Sequence, residues 1–238
     1  MALKRGALVI LPNLIGEAAV KENLPDAVEK EVASLDGLIA ESETAGRRFL
    51  GHFIKDRAAQ VPIAVFTKKT KDEDIDFYLE PIQKGEKWGL VSDAGLPCIA
   101  DPGSKLVMRA RKVGVKVKAL PGPSSIMLSL QLSGLSGQHF TFHGYLPKEH
   151  PPLIKKIREM EKTMKATGAT QIMIEAPYRN GSLLNLLLEN LADDTLLSVM
   201  WDLTLPSEGG MTESVATWKK LAKPQLDKRP SVFLIGKE

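Results

Sequence analysis

The chain has 238 residues, enough for one large domain or two modest ones. Apolar residues make up 43% and charged residues 26%, which excludes a disordered chain, because that much apolar surface can offset the entropy of ordering. The net charge is only +3, with 19 basic and 17 acidic groups in residues 1–120 and 13 and 12 in the rest, so no basic tail or half announces a polyanion partner.

Aromatic residues are 5% of the chain, which weakens a reading built on base-stacking platforms. Cys98 is the only cysteine, which excludes an intramolecular disulfide framework and a cysteine-built zinc site. His52, His139, His143 and His150 do not pair at metal-ligand spacing on a helix, so no metal is expected. A reducing, cytoplasmic setting is the simplest inference. No apolar run approaches the roughly 18 residues that a spanning helix needs, so no membrane partner is expected. Lys4 and Arg5 precede an apolar run at 6–11, as in a signal peptide. Pro12 and Asn13 interrupt that run and Glu17 follows, so it reads as a buried first strand.

Strand-like runs at 7–11, 37–40, 62–66, 88–92 and 115–119 alternate with helical patterns at 21–34, 43–53, 72–83 and 105–112. Several of these strands are apolar at nearly every position, which suits burial on both faces of a parallel sheet with helical crossovers. Pro121-Gly122-Pro123 is the densest breaker cluster in the chain. Beyond it, helices are expected at 124–132, 153–165, 182–192 and 213–221, and strands at 139–142, 171–175, 196–203 and 231–235. The pattern predicts two α/β domains in tandem: residues 1–120 with a mostly parallel sheet, and residues 121–238 with a mixed sheet. In the segment 153–165, Leu153, Ile157, Met160 and Met164 share one face, and the lysines and Arg158 lie elsewhere, as a solvated basic face in preference to an RNA contact.

Ligands of open α/β sheets bind beyond the carboxyl ends of the strands. The loop after the first strand, Leu11-Pro12-Asn13-Leu14-Ile15-Gly16, holds one glycine and is no dinucleotide fingerprint, and no Walker loop occurs. The loop at 92–103 carries two glycines, two prolines, Asp93 and Asp101 between strand and helix. It reads either as a rigid ligand loop or as a turn whose aspartates cap their own backbone. Ser124 and Ser125 follow Pro123, where hydroxyls cap a helix or a helix start holds an anionic ligand group.

Four motifs in matching order resemble one family. They are Ser92-Asp93-Ala94-Gly95-Leu96-Pro97-Cys98-Ile99-Ala100-Asp101-Pro102-Gly103, Pro121-Gly122-Pro123-Ser124-Ser125, Ser133-Gly134-Leu135 and Phe142-His143-Gly144-Tyr145-Leu146-Pro147. The chain is similar over about residues 8–236 to the tetrapyrrole methylase superfamily, and most of all to its ribosomal RNA small-subunit methyltransferase I branch.

The resemblance implies S-adenosylmethionine as methyl donor, bound in a cleft between two α/β domains of a homodimer. It implies donor contacts from Ile15, Asp93, Gly95, Leu96, Pro97, Ile99, Ser124, Ser125, Tyr145, Leu146, Ala176, Pro177 and Pro230. Ribosomal RNA, methylated at a ribose 2′-hydroxyl, is the acceptor it implies. Other acceptors, a tetrapyrrole-like small molecule or a protein, remain open, as does a module that binds donor or RNA without chemistry.

The departures fall on the acceptor side. The branch has Glu-Asp-Thr-Arg after strand two, where this chain keeps Glu41 but continues Ser42-Glu43-Thr44. A His- and Asn-rich stretch is replaced by Thr67-Lys68-Lys69-Thr70-Lys71, Glu-Ser-Pro-His-Arg by Glu175-Ala176-Pro177-Tyr178-Arg179, and Glu-Leu-Thr-Lys by Asp202-Leu203-Thr204-Leu205. A ribose hydroxyl benefits from a general base. Glu41 and Asp101, with Asp93, are the candidate carboxylates, each open also to a capping or salt-bridge role. Arg179 would clamp an acceptor phosphate or form a structural ion pair. Cys98 reads as a small apolar filler.

Overall fold

The computed structural model describes residues 6–237, so Lys4 and Arg5 lie outside the described residues. The chain divides into two compact units, Met1–Ser124 and Ser125–Glu238.

The first unit runs β1 (Ala7–Ile10), α1 (Val20–Asn23), α2 (Asp26–Val32), β2 (Gly37–Ala40), α3 (Glu43–Gly51), β3 (Ile63–Val65), α4 (Ile75–Gln83), β4 (Lys87–Leu90), α5 (Ser104–Lys112) and β5 (Lys116–Ala119). Its sheet has the order β3-β2-β4-β1-β5, and every pairing is parallel. Successive strand residues point to opposite faces, and both faces are covered. Val9, Leu38 and Ala40 pack with Val28, Val32, Phe49 and Leu50 on one side. Leu8, Ile39, Trp88 and Leu90 pack with Leu79, Ile82 and Leu106 on the other. This double burial is why these strands read as unbroken apolar runs.

The continuous helix expected at 21–34 is two helices. Pro25 is the N-cap of α2 and pushes Leu24 into extended backbone (φ −118°, ψ 133°), so the first helix stops one turn after it starts.

The second unit runs α6 (Ser125–Ser133), β6 (Phe140–Tyr145), α7 (His150–Thr167), β7 (Thr170–Ile174), α8 (Asn180–Asn190), β8 (Leu196–Trp201), β9 (Gly209–Ser214), α9 (Val215–Trp218) and β10 (Ser231–Gly236). The sheet order is β6-β7-β10-β8-β9. Only β6 and β7 are parallel, so the sheet is mixed. Leu153, Ile157 and Met160 of α7 lie buried against Met173, Leu197 and Phe233. Ile126 and Leu130 of α6 cover Ile172, Val232 and Leu234 on the other face. Helix α7 begins at His150, a turn earlier than the apolar stripe suggests, because Pro151 and Pro152 occupy first-turn positions whose N–H groups have no helical partner.

The short helix expected at 213–221 is α9, and strand β9, which the sequence pattern does not predict, leads directly into it. In β9, Gly209 and Gly210 pair with Trp201 and Met200, whose side chains lie over them. A Cβ on Gly209 would stand 2.5 Å from the Trp201 ring, and one on Gly210 2.0 Å from the Met200 sulfur. The glycines make room for these side chains, as in edge strands where an aromatic covers a bare backbone.

Candidate active site

In the first unit, the carboxyl ends of the adjacent strands β2, β4 and β1 carry Glu41, the loop at 92–103 and the loop at 11–16. The last two loops are stitched together. Asn13 N–H donates to the Gly95 carbonyl at 2.8 Å, and Gly95 N–H returns a bond to the Leu14 carbonyl at 3.3 Å. The Asn13 side-chain amide donates to the carbonyls of Ser92 and Asp93 at 2.9 and 3.1 Å, and its oxygen accepts from Leu14 N–H at 2.9 Å.

The loop at 92–103 is strongly shaped. Gly95, Cys98, Ala100 and Gly103 all have positive φ (65°, 71°, 64° and 129°). Two of the four are not glycine, and such backbone persists only where the surroundings over-determine it. At Gly103, Cys98 fills the space a side chain would take, with its sulfur 2.8 Å from the Cβ position. Burial first, then the Asp101 charge, pushes the Cys98 thiol up to about 11, so it stays protonated filler.

Three carboxyl groups converge here. Glu41 accepts from Asp93 N–H at 3.2 Å. Burial, then the Glu41 carboxylate, pushes the Asp101 carboxyl up to about 6, with Asp93 adding to the rise; Lys68 and a Ser92 hydrogen bond oppose it. Glu41, Asp93 and Asp101 therefore share one electrostatic neighbourhood, drawn from the ends of β2 and β4. Asn13, Ser92 and Lys68 were not among the sequence candidates. In the sequence Asn13 is only one member of the loop at 11–16, and a loop asparagine can satisfy several backbone groups at once.

In the second unit, the strand directions bring one end of β6, β7, β10, β8 and β9 to a common edge. That edge holds Tyr145 and Leu146, the Pro177–Arg179 turn with Ala176 before it, Pro230, and the Asp202–Leu205 turn. Tyr145 is exposed and Leu146 buried. Between Phe142 and Tyr145 the pairing of β6 with β7 slips at a bulge, with Gly144 at φ 67°. His143 at this bulge is committed to the fold: Gln171 spends its amide N–H on the Ala169 carbonyl, and its oxygen lies 2.8 Å from His143 Nε2.

Arg179 forms an ion pair with Glu175 at 3.2 Å, and its Nη2 donates to the Lys148 carbonyl at 3.2 Å. The Glu175 side chain is 6% exposed, so this pair is largely buried. Of the two roles the sequence left open for Arg179, the geometry supplies the ion pair. Asp202, at φ 51°, holds Arg229 at 3.5 Å and accepts from the Ser207 hydroxyl at 2.9 Å. Ser124 ends the first unit and Ser125 opens α6.

A profile of the tetrapyrrole (corrin/porphyrin) methylases matches residues 2–216. The chain belongs to this family. It is an S-adenosylmethionine-dependent methyltransferase. The ribosomal RNA small subunit methyltransferase I of Thermotoga maritima is 29% identical over 240 residues, 98% of this chain and all of that one. The protein of the same name from Bacillus subtilis is 30% identical over 190 residues, 79% of this chain and 61% of that protein. Among solved structures, the methyltransferase CobJ superposes with a TM-score of 0.66 at 15% identity, covering 98% of this chain and 94% of that one. The uroporphyrin-III-C-methyltransferase from Thermus thermophilus gives 0.54 at 17% identity, over 98% and 93%. These two likenesses bear on the fold alone. No helix among the described residues is long and apolar enough to cross a membrane.

The residues of this tetrapyrrole methylase fit its donor. A Cβ on Gly95 would stand 3.2 Å from Ile15 Cγ2 and 3.7 Å from the Pro123 carbonyl oxygen, so the bare glycine keeps its backbone open to close approach beside Ile15. The nearby carboxyl groups complement a sulfonium cation.

Proposed function

We propose that the chain methylates ribosomal RNA at a ribose 2′-hydroxyl. The observation that carries this reading is the Thermotoga relative, whose whole length aligns with 98% of the chain. Donor contacts are proposed from Ile15, Asp93, Gly95, Leu96, Pro97, Ile99 and Ser124 in the first unit. Ser125, Tyr145, Leu146, Ala176, Pro177 and Pro230 are proposed in the second. We further propose a homodimer working in the cytoplasm, and a reaction without a metal.

The donor supplies an electrophilic methyl group on sulfur. In the transfer, the methyl–sulfur bond breaks as the ribose oxygen–methyl bond forms, and the hydroxyl proton passes to a carboxylate. Asp101 suits that proton, because a base works best when its pKa lies near the working pH. Glu41 assists by its charge and by holding Asp93 N–H. The rest of the protein's contribution is alignment of donor and acceptor, which supplies several kcal/mol of an in-line displacement, roughly 7–11 at best. Arg179 is proposed as a positioning residue that ties the β6 and β7 loops together.

The altered acceptor motifs favour keeping a second reading, the same chemistry on a small tetrapyrrole-like molecule or a protein. Incubation with labelled donor and either small ribosomal subunits from cells lacking the protein or small-molecule extracts separates the two. Label in RNA, mapped to a ribose, supports the first reading, and label only in the extract removes it. Donor bound without transfer to any fraction would leave a binding module.

A further inference from the structure

We infer that Tyr178, Lys148 and Lys228 receive one nucleotide of the acceptor strand, its base stacked on the Tyr178 ring and its flanking phosphates on the two ammonium groups. This rests on the ribosomal RNA reading above. Tyr178 is 72% exposed, yet it sits on a fixed turn. Arg179 N–H closes that turn onto the Ala176 carbonyl at 2.8 Å, and the Arg179 side chain is anchored by the largely buried Glu175.

The same turn is hydrogen-bonded to two segments that each carry a lysine. Arg179 Nη2 holds the Lys148 carbonyl at 3.2 Å, and the Pro177 carbonyl accepts from Lys228 N–H at 3.3 Å. Lys228 is itself held in left-handed backbone, at φ 66°. Both lysines are exposed, and among the described residues neither side chain forms an ion pair or a hydrogen bond, although Glu149 and Asp227 are their chain neighbours. An exposed ring on a rigid base, with an unpartnered lysine in each of two segments bonded to that base, is the kind of arrangement that binds single strands, where aromatic faces stack bases and lysines track the backbone. The turn is continuous with Ala176 and Pro177, proposed donor contacts, so a base held there lies beside the proposed donor site of this unit. One well-placed tyrosine suffices for one base, so the low aromatic content of the chain is no obstacle.

The test uses the full chain with a labelled single-stranded oligoribonucleotide, read by anisotropy, and with small ribosomal subunits, read by methyl transfer. Tyr178→Ala should weaken RNA affinity and raise KM for subunits about 5- to 150-fold, the range for loss of one stacked base. Tyr178→Phe, which keeps the ring, should retain both, and donor affinity by calorimetry should not change in either variant. Lys148→Ala combined with Lys228→Ala should reduce the salt dependence of log affinity by about 1.4, from roughly 0.7 for each phosphate contacted on a single strand. Unchanged KM in Tyr178→Ala, equal losses in the Ala and Phe variants, or an unchanged salt slope would each overturn the platform alone. No transfer to RNA by the unaltered protein would overturn the ribosomal reading and the platform with it.

Discussion

The side-chain amide of Asn13 donates to the carbonyl oxygen of Ser92 at 2.9 Å, joining the loop after β1 to the loop after β4 across 79 residues of sequence. The same nitrogen reaches Asp93, and the amide oxygen takes Leu14 N–H, so one side chain satisfies three backbone groups. Asn13→Leu leaves those groups unmet, at about 1–3 kcal/mol each where water cannot replace the bond. Asn13→Asp sets a carboxylate against two carbonyl oxygens. Both variants should melt at lower temperature and bind the donor more weakly, as calorimetry would read. Parental donor affinity in both would mean that the staple does not order the site.

Asp101 makes stability depend on pH in a defined direction. Its carboxyl rises from an ordinary 3.8 to about 6 on folding, mainly through burial and then through Glu41. The folded state therefore binds more protons than the unfolded state between those values. Its contribution is fully present below about 4 and is lost as pH rises through 6. Asp101→Asn removes the titration, so its melting temperature should gain on the parent between pH 4 and pH 7 and hold steady above. A difference that stays flat across that window would contradict a raised Asp101. If Asp101 takes the hydroxyl proton, kcat of the parent should rise with pH through the same region, and the Asn variant should lose that limb.

Glu41 acts on Asp101 by charge and on Asp93 by a hydrogen bond. Glu41→Gln keeps the hydrogen-bond acceptor and deletes the charge. Turnover should fall, donor affinity should fall far less, and the kcat limb assigned to Asp101 should move to lower pH, because one neighbouring negative charge is gone. Unchanged turnover together with an unmoved profile would remove Glu41 from the chemistry.

The Glu175–Arg179 pair is structural before it is anything else. Arg179→Ala strands a carboxylate that is 6% exposed, and breaking a buried pair from one side costs about 3–5 kcal/mol. Replacing both partners, as in Glu175→Met with Arg179→Met, should recover most of that loss in the urea midpoint. A double variant as unstable as the single one would show that the Lys148 carbonyl bond, not the ion pair, carries the turn.

Much of the fold was legible in the sequence, because its signals are local. Uniformly apolar runs such as 37–40 and 88–92 mark strands buried on both faces, and the stripe Leu153, Ile157, Met160 and Met164 marks one side of α7. The exceptions were places where a neighbour in space overrules composition. Strand β9 carries no strand signal at Gly209 and Gly210, which are there because Trp201 and Met200 lie over them. Pro25 does break its helix, a signal present in the sequence but outweighed there by the apolar period around it.

The sequence by itself determined the alternation of strands and helices, the loop chemistry at 92–103 and the family, because each rests on residues close together in the chain. Tertiary structure alone decided which groups act on one another. Parallel pairing sets β2, β4 and β1 side by side, so Glu41 meets Asp93 and Asp101, and Asn13 reaches Ser92, over separations that no local pattern encodes. The charge state of Asp101 has the same origin. A carboxyl group responds to burial and to charges within a few ångströms, and those distances exist only once the chain has folded.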